Sequence, residues 1–214
     1  MIRLLIAALV ALFAVAGAQA KAPPDGVDIC GTVGACVHLT WQQAEPNWAL
    51  WSWPTLEDSV RPSAVAPFLL VHWQWPGEGQ KTAYYVPATG KIRQTGGGAV
   101  SWFKLADATG LPARTASLTP FPVPQLTRVT VGGRSVRDPQ SYLEVFGAGV
   151  NSFTAILPRW LPIKFFAFAP SPWTDGVDEV WISRKGGLLW IDGNIVRIPL
   201  QLAQRIRARR SLAP

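Results

Sequence analysis

The chain has very few of the residues from which active centres are usually read. Histidine occurs only at His38 and His72, cysteine only at Cys30 and Cys36, and methionine only at position 1. No G-x-S-x-G elbow, H-E-x-x-H pair or phosphate-cradling glycine loop is present, so common signatures of serine hydrolases, zinc peptidases and nucleotide-binding enzymes are missing. Acidic residues stop at Asp192. After the first twenty residues no apolar run reaches the ~20 residues that a membrane helix requires. Residues that favour long helices are also few, which leaves short strands joined by turns as the expected architecture.

What the chain does carry begins at its start. Residues 1–20 read MIRLLIAALVALFAVAGAQA: a basic Arg3, an apolar run from Leu4 to Ala16, then Ala18 and Ala20 ahead of Lys21. This is the pattern of a secretory signal peptide with an A-x-A cleavage site, and its apolar core is shorter than a membrane span. The expectation is a secreted or extracytoplasmic protein whose mature chain starts near Lys21. In that oxidising setting the stretch CGTVGAC predicts a disulfide between Cys30 and Cys36, across a loop that Gly31 and Gly34 make flexible enough to close. Reading His38 as a third metal ligand beside the cysteines lacks a fourth ligand and a zinc-like spacing, so the disulfide is preferred.

Nineteen glycines, nineteen prolines and eleven tryptophans punctuate a chain that is 49% hydrophobic. The predicted class is mainly β (α+β), with short antiparallel meanders and hairpins, two or three short helices, and two strand-rich parts at 21–111 and 126–214. A proline-rich linker (112–125) lies between them. Strand candidates in the first part are CVHLTW (36–41), WALWSW (48–53) and PFLLVHWQW (67–75), then a meander through residues 82–105. A short helix is expected from the Thr55-x-x-Asp58 pattern. In the second part LTRVTVGGRSVRD predicts a hairpin turning at Gly132 and Gly133. Asp138, Pro139 and Gly147 then bracket a short helix. Strands are expected at SFTAIL, KFFAFA and DEVWIS, and in a closing hairpin that turns at residues 192–194. A basic helix follows Pro199.

The two parts show a faint likeness. WISRKGGLLWIDG (181–193) lies without gaps on YYVPATGKIRQTG (84–96), placing Gly187 on Gly90 and Gly193 on Gly96; after a shift of two, Leu200 falls on Leu105 and Ala203 on Ala108. Duplication of a strand-rich unit would give this pattern. Shared turn chemistry gives it too, and is the simpler account of so few identities.

Charge and aromatic residues supply the candidate contacts. The net charge is +7, yet residues 21–192 hold fourteen basic and thirteen acidic residues, so most of the excess sits in the five arginines after Asp192. Arg205, Arg207, Arg209 and Arg210 are candidates for contact with an anionic membrane or cell-wall polymer, or they simply complement the negative end of the last helix. Trp51, Trp53, Trp73 and Trp75 are candidates for an exposed platform that stacks carbohydrate or meets a protein, although core packing is the commoner use of tryptophan. His72 sits in the most apolar strand, where a satisfied core histidine is expected. Asp175, Asp178 and Glu179 form the best acidic group, a weak metal or carboxylate-pair candidate that reads first as a polar turn. No residue is assigned a catalytic role and no cofactor is expected. Nucleic acid is disfavoured because the chain is read as exported and shows no nucleic-acid-binding module. The functional expectation is a non-catalytic binding or structural module of the cell envelope; the alternatives are a hydrolase of an envelope polymer such as glycan, and a duplicated sensor or accessory domain that binds a protein.

Overall fold

A computed structural model of the chain describes residues 24–50, 62, 64–96, 99–105, 110–147, 150–151, 159–174, 180–191 and 194–213. It opens with a hairpin. β1 (Gly26–Cys30) and β2 (Cys36–Thr40) pair antiparallel, Cys30 lies opposite Cys36, and the expected disulfide joins them. Strand alternation sends Val27, Ile29 and Leu39 into the core and leaves Asp28 and His38 on the other, exposed face. Thr40 ends β2 and caps α1 (Trp41–Ala44), its backbone N–H donating to Gln43 Oε1 at 3.0 Å in a capping box. A 3₁₀ turn over Glu45–Leu50 follows, so the first three residues of WALWSW are not strand. Pro46 explains this, since its fixed φ suits a helical turn and it lacks a ladder donor. The rest of that stretch, and the helix expected at Thr55, lie outside the described residues.

Four strands then form a meander: β3 (Leu69–Gln74), β4 (Gln80–Val86), β5 (Lys91–Gly96) and β6 (Ala99–Lys104). With the hairpin they make one antiparallel sheet in the order β2-β1-β3-β4-β5-β6. α2 (Gly110–Thr115) buries Leu111 against its inner face and accommodates Pro112 in its first turn, where a missing N–H costs no hydrogen bond. The proline-rich stretch thus gives its first four residues to a helix. Its remainder is held down: Thr119 O accepts from Thr32 N at 2.8 Å, and Phe121 exchanges both backbone hydrogen bonds with Phe68, at 3.1 and 2.8 Å.

The second half repeats the plan. β7 (Leu126–Val131) and β8 (Arg134–Ser135) form a hairpin whose turn residues Gly132 and Gly133 have φ of 58° and 79°, the two positive values that a tight hairpin turn demands. Asp138 Oδ1 accepts from Ser141 N at 3.4 Å at the start of a 3₁₀ turn (Gln140–Leu143) that runs into α3 (Glu144–Gly147). β9 (Val150–Asn151), β10 (Trp160–Ala167), β11 (Val180–Ser183), β12 (Leu188–Ile191) and β13 (Asn194–Arg197) follow, and α4 (Leu200–Arg207) closes the half. The SFTAIL stretch lies outside the described residues. The sheet order is β8-β7-β10-β11-β12-β13-β9.

With β9 set aside, the two orders are one order, and the ladder registers match position for position. Val27 and Ile29 correspond to Val129 and Val131, Val71 to Ile163, Ala83 and Tyr85 to Val180 and Ile182, and Ile92 to Leu189. All of these side chains are buried. Gly187 occupies the place of Gly90: the carbonyl of each accepts the N–H that follows the next strand, from Ile198 at 2.9 Å and from Leu105 at 3.0 Å. The partner of Leu105 is therefore Ile198. Leu200 does not match Leu105 as the sequence reading placed it, because the β12–β13 hairpin (188–197) is four residues shorter than β5–β6 (91–104); Ala108 lies outside the described residues. Shared turn glycines cannot impose a common strand order and register, so the likeness extends to the whole unit.

Two apolar clusters result. One lies on the inner face of the first half's sheet and takes in Leu118 from the proline-rich stretch. The other joins the second half's core to Phe68, Tyr84, Val86 and Trp102 from the opposite face of the first sheet. Trp173, only 1% exposed, sits at this joint, its ring centroid 5.0 Å from Trp102 and 6.4 Å from Phe146. Burying an aromatic side chain of this size contributes on the order of 3 kcal/mol, so the joint is a real part of the fold.

Candidate functional site

The face of the first sheet that meets the second half is buried at Tyr84 and Trp102 and open at the hairpin end. There the register sets four polar side chains abreast on adjacent strands: His38 on β2, Asp28 on β1, His72 on β3 and Thr82 on β4. His38 Nδ1 lies 2.8 Å from Asp28 Oδ1, and His72 Nδ1 lies 3.1 Å from Thr82 Oγ1. An ionised carboxylate only accepts, so His38 donates from Nδ1 and this fixes its tautomer when neutral. Burial draws the pKa of His72 below the ordinary imidazole value, and the nearby Asp28 charge pulls it part of the way back.

Beside this row, where the strands end, lies a pocket of about 400 Å³ lined by Asp25, Asp28, His38, His72, Gln80 and Trp75, among others. Gly26 makes room for it. A Cβ on Gly26 would come within 2.6 Å of the His38 ring and 2.5 Å of Leu39 O, so only glycine lets the imidazole lie across the strand. No lysine or arginine is among the described lining residues. Among the described residues no three His, Cys, Asp or Glu side chains are grouped so as to hold a metal ion.

This site is largely new relative to the sequence reading. His72 is half-buried, not a core residue, because alternation in LLVHWQ puts Leu69, Val71 and Trp73 on the inner face and His72 on the other. That alternation was legible; the alignment of His38, Asp28 and His72 was not, since it depends on which strands pair. Of the tryptophans proposed as a platform, Trp73 is 8% exposed within the first core. Trp75, one residue past β3, is half-buried, packs against the same core and lines the pocket. Trp51, Trp53, Asp175, Asp178 and Glu179 lie outside the described residues.

The C-terminal arginines are elsewhere engaged. Arg205 donates to the carbonyls of Ser211 and Ala213, and Arg207 to those of Ser183 and Gly186 at 3.1 and 2.7 Å. Arg209 takes a left-handed φ of 56°, and the N–H groups of Arg209 and Arg210 return to the carbonyls of Ile206 and Arg205, which ends α4 in a Schellman turn. The chain then turns back to the start of the second-half helical segment: Ser211 Oγ donates to Asp138 Oδ2 at 2.6 Å, Leu212 N donates to Ser141 Oγ at 2.9 Å, and Leu212 is buried. Arg210 is exposed.

Comparison with known protein families, curated proteins and solved structures finds no match. The site is therefore read from its own chemistry.

Proposed function

We propose that this is an exported binding module which takes a small ligand in the pocket at the hairpin end of its first sheet, and that it works by binding and not by catalysis. The observation that carries this reading is the exposed Asp28–His38 pair with the half-buried His72 on the next strand, polar groups gathered at a concave site beside an indole. Exposed polar side chains need no such convergence for stability, whereas a binding site does. The disulfide and the residue 1–20 pattern support export.

Ligand-observed NMR with a mixed set of neutral, cationic and anionic small solutes tests the reading. Solutes that bind the mature chain should lose binding in the Asp28→Asn/His72→Ala double variant; binding indifferent to that change, or turnover of a bound solute, would count against it. Amino-terminal sequencing of the secreted product should give a start near Lys21.

Contact with an anionic membrane or wall polymer is a second proposal, now narrowed to Arg209 and Arg210, because Arg205 and Arg207 already bond backbone carbonyls. Truncation after Gln204 would remove the buried Ile206 and Leu212 and so damage the fold. Charge reversal in Arg209→Glu/Arg210→Glu is the cleaner test: lost retention on anionic liposomes at low salt supports the contact, and unchanged retention removes it.

A further inference from the structure

On the reading that this pocket binds a ligand, we infer that the ligand is a neutral sugar ring. The pocket, at about 400 Å³, falls within the ~300–1,000 Å³ range of small-molecule sites. Its lining selects the chemistry. Two carboxylates, Asp25 and Asp28, with no lysine or arginine among the described lining residues, disfavour an anion. An apolar ligand would desolvate Asp28 and His38, whose mutual hydrogen bond satisfies only one carboxylate oxygen and one ring nitrogen, together with the Gln80 amide. An ammonium offers only donors, and would satisfy the carboxylates while giving the Gln80 amide N–H groups no acceptor. A sugar hydroxyl both donates and accepts, and the C–H face of the ring suits the flat indole of Trp75.

The second half supplies an internal control. By register, Arg128 stands where Gly26 stands and Phe166 where Gln74 stands. The Arg128 guanidinium lies 3.9 Å from the centroid of the Phe166 ring. A stacked cation thus stands at positions equivalent to two pocket-lining residues, and the equivalents of His38, Asp28 and His72 are Ser135, Thr130 and Lys164. The polar set and the room for a ring occur together, in the same half.

Isothermal titration of the mature chain at pH 7.5 with methyl pyranosides, and separately with a primary alkylamine and inorganic phosphate, tests the inference. A neutral pyranoside should bind, with affinity reduced tenfold or more by Trp75→Ala and by Asp28→Asn, largely kept in Trp75→Phe, and abolished by Gly26→Arg. Circular dichroism of each variant separates lost binding from lost fold. If the amine or phosphate binds in an Asp28-dependent way and pyranosides do not, the sugar assignment is wrong while the pocket remains a binding site. If no probe binds and none shifts the His38 or His72 imidazole resonances, both readings fall.

Discussion

The two halves share strand order, register and inner-face packing, and differ where side chains point outward. At three equivalent outward positions the first half has Asp28, His38 and His72, and the second has Thr130, Ser135 and Lys164. The backbone tolerates either set, because these positions face away from each half's own core. What the unit requires is the inward alternation; what it can be used for is decided by residues that the packing leaves free. Gly26 and Arg128 make the same point, one leaving room for the His38 ring and the other stacking on Phe166.

The joint between the halves gives the largest expected effect. Trp173→Ala should cost about 3–5 kcal/mol by removing a buried aromatic and leaving a cavity. In urea unfolding followed by hydrogen exchange, β7–β10 should lose protection before β1–β4; equal loss in both would mean that the halves do not differ in their dependence on Trp173.

Next is the disulfide, which has no counterpart in the second half. Replacing Cys30 and Cys36 by serine frees a loop of seven residues (30–36) and should cost about 2 kcal/mol. Calorimetry reads the total, and exchange should localise the loss to β1, β2 and β3.

Smaller still is Tyr85→Phe. The Tyr85 hydroxyl is buried with no hydrogen-bond partner among the described residues, and its counterpart Ile182 is apolar. Removing the hydroxyl should raise stability by about 1 kcal/mol, seen as a higher denaturation midpoint. Arg209→Gly relieves a left-handed residue at the end of α4 and should add roughly 0.5–1 kcal/mol.

The second half also carries its own pH dependence. The hydrogen bond from Ser211 holds the Asp138 carboxyl below the usual carboxylate range, so its contribution is present above that range and is lost as pH falls through the lowered value. Burial pushes Tyr142 up to about 12, so stability held below pH ~10 declines as pH rises from there toward 12. Tail amide exchange at Leu212, measured across both ranges, should quicken at each end in wild type and lose its acid limb in Asp138→Asn.

Much of the fold was legible in the chain. The Cys30–Cys36 closure, the Gly132–Gly133 hairpin, the bracket from Asp138 to Gly147 and the meanders each rest on local rules that the structure also obeys. Legibility ended where pairing between distant segments decides. The match of Gly187 to Gly90 was visible as turn chemistry, but the match of Ile198 to Leu105 needed the shortened hairpin. Likewise His72 looked like core because its strand is apolar, and only the pairing of β1 between β2 and β3 brings it to Asp28. Pro46 shows the converse, a local signal in the chain that the count of aromatics around it outweighed.

The central proposal is that the first half of a repeated unit binds a ligand beside Asp28, His38 and His72, where the second half places Arg128 against Phe166. Amide and imidazole chemical shifts of the chain from Lys21 onward, followed while a neutral methyl pyranoside is added, test it most directly. The account predicts shifts confined to residues 25–28, 38 and 72–80. Shifts of equal size at Thr130, Lys164 and Phe166 would contradict it.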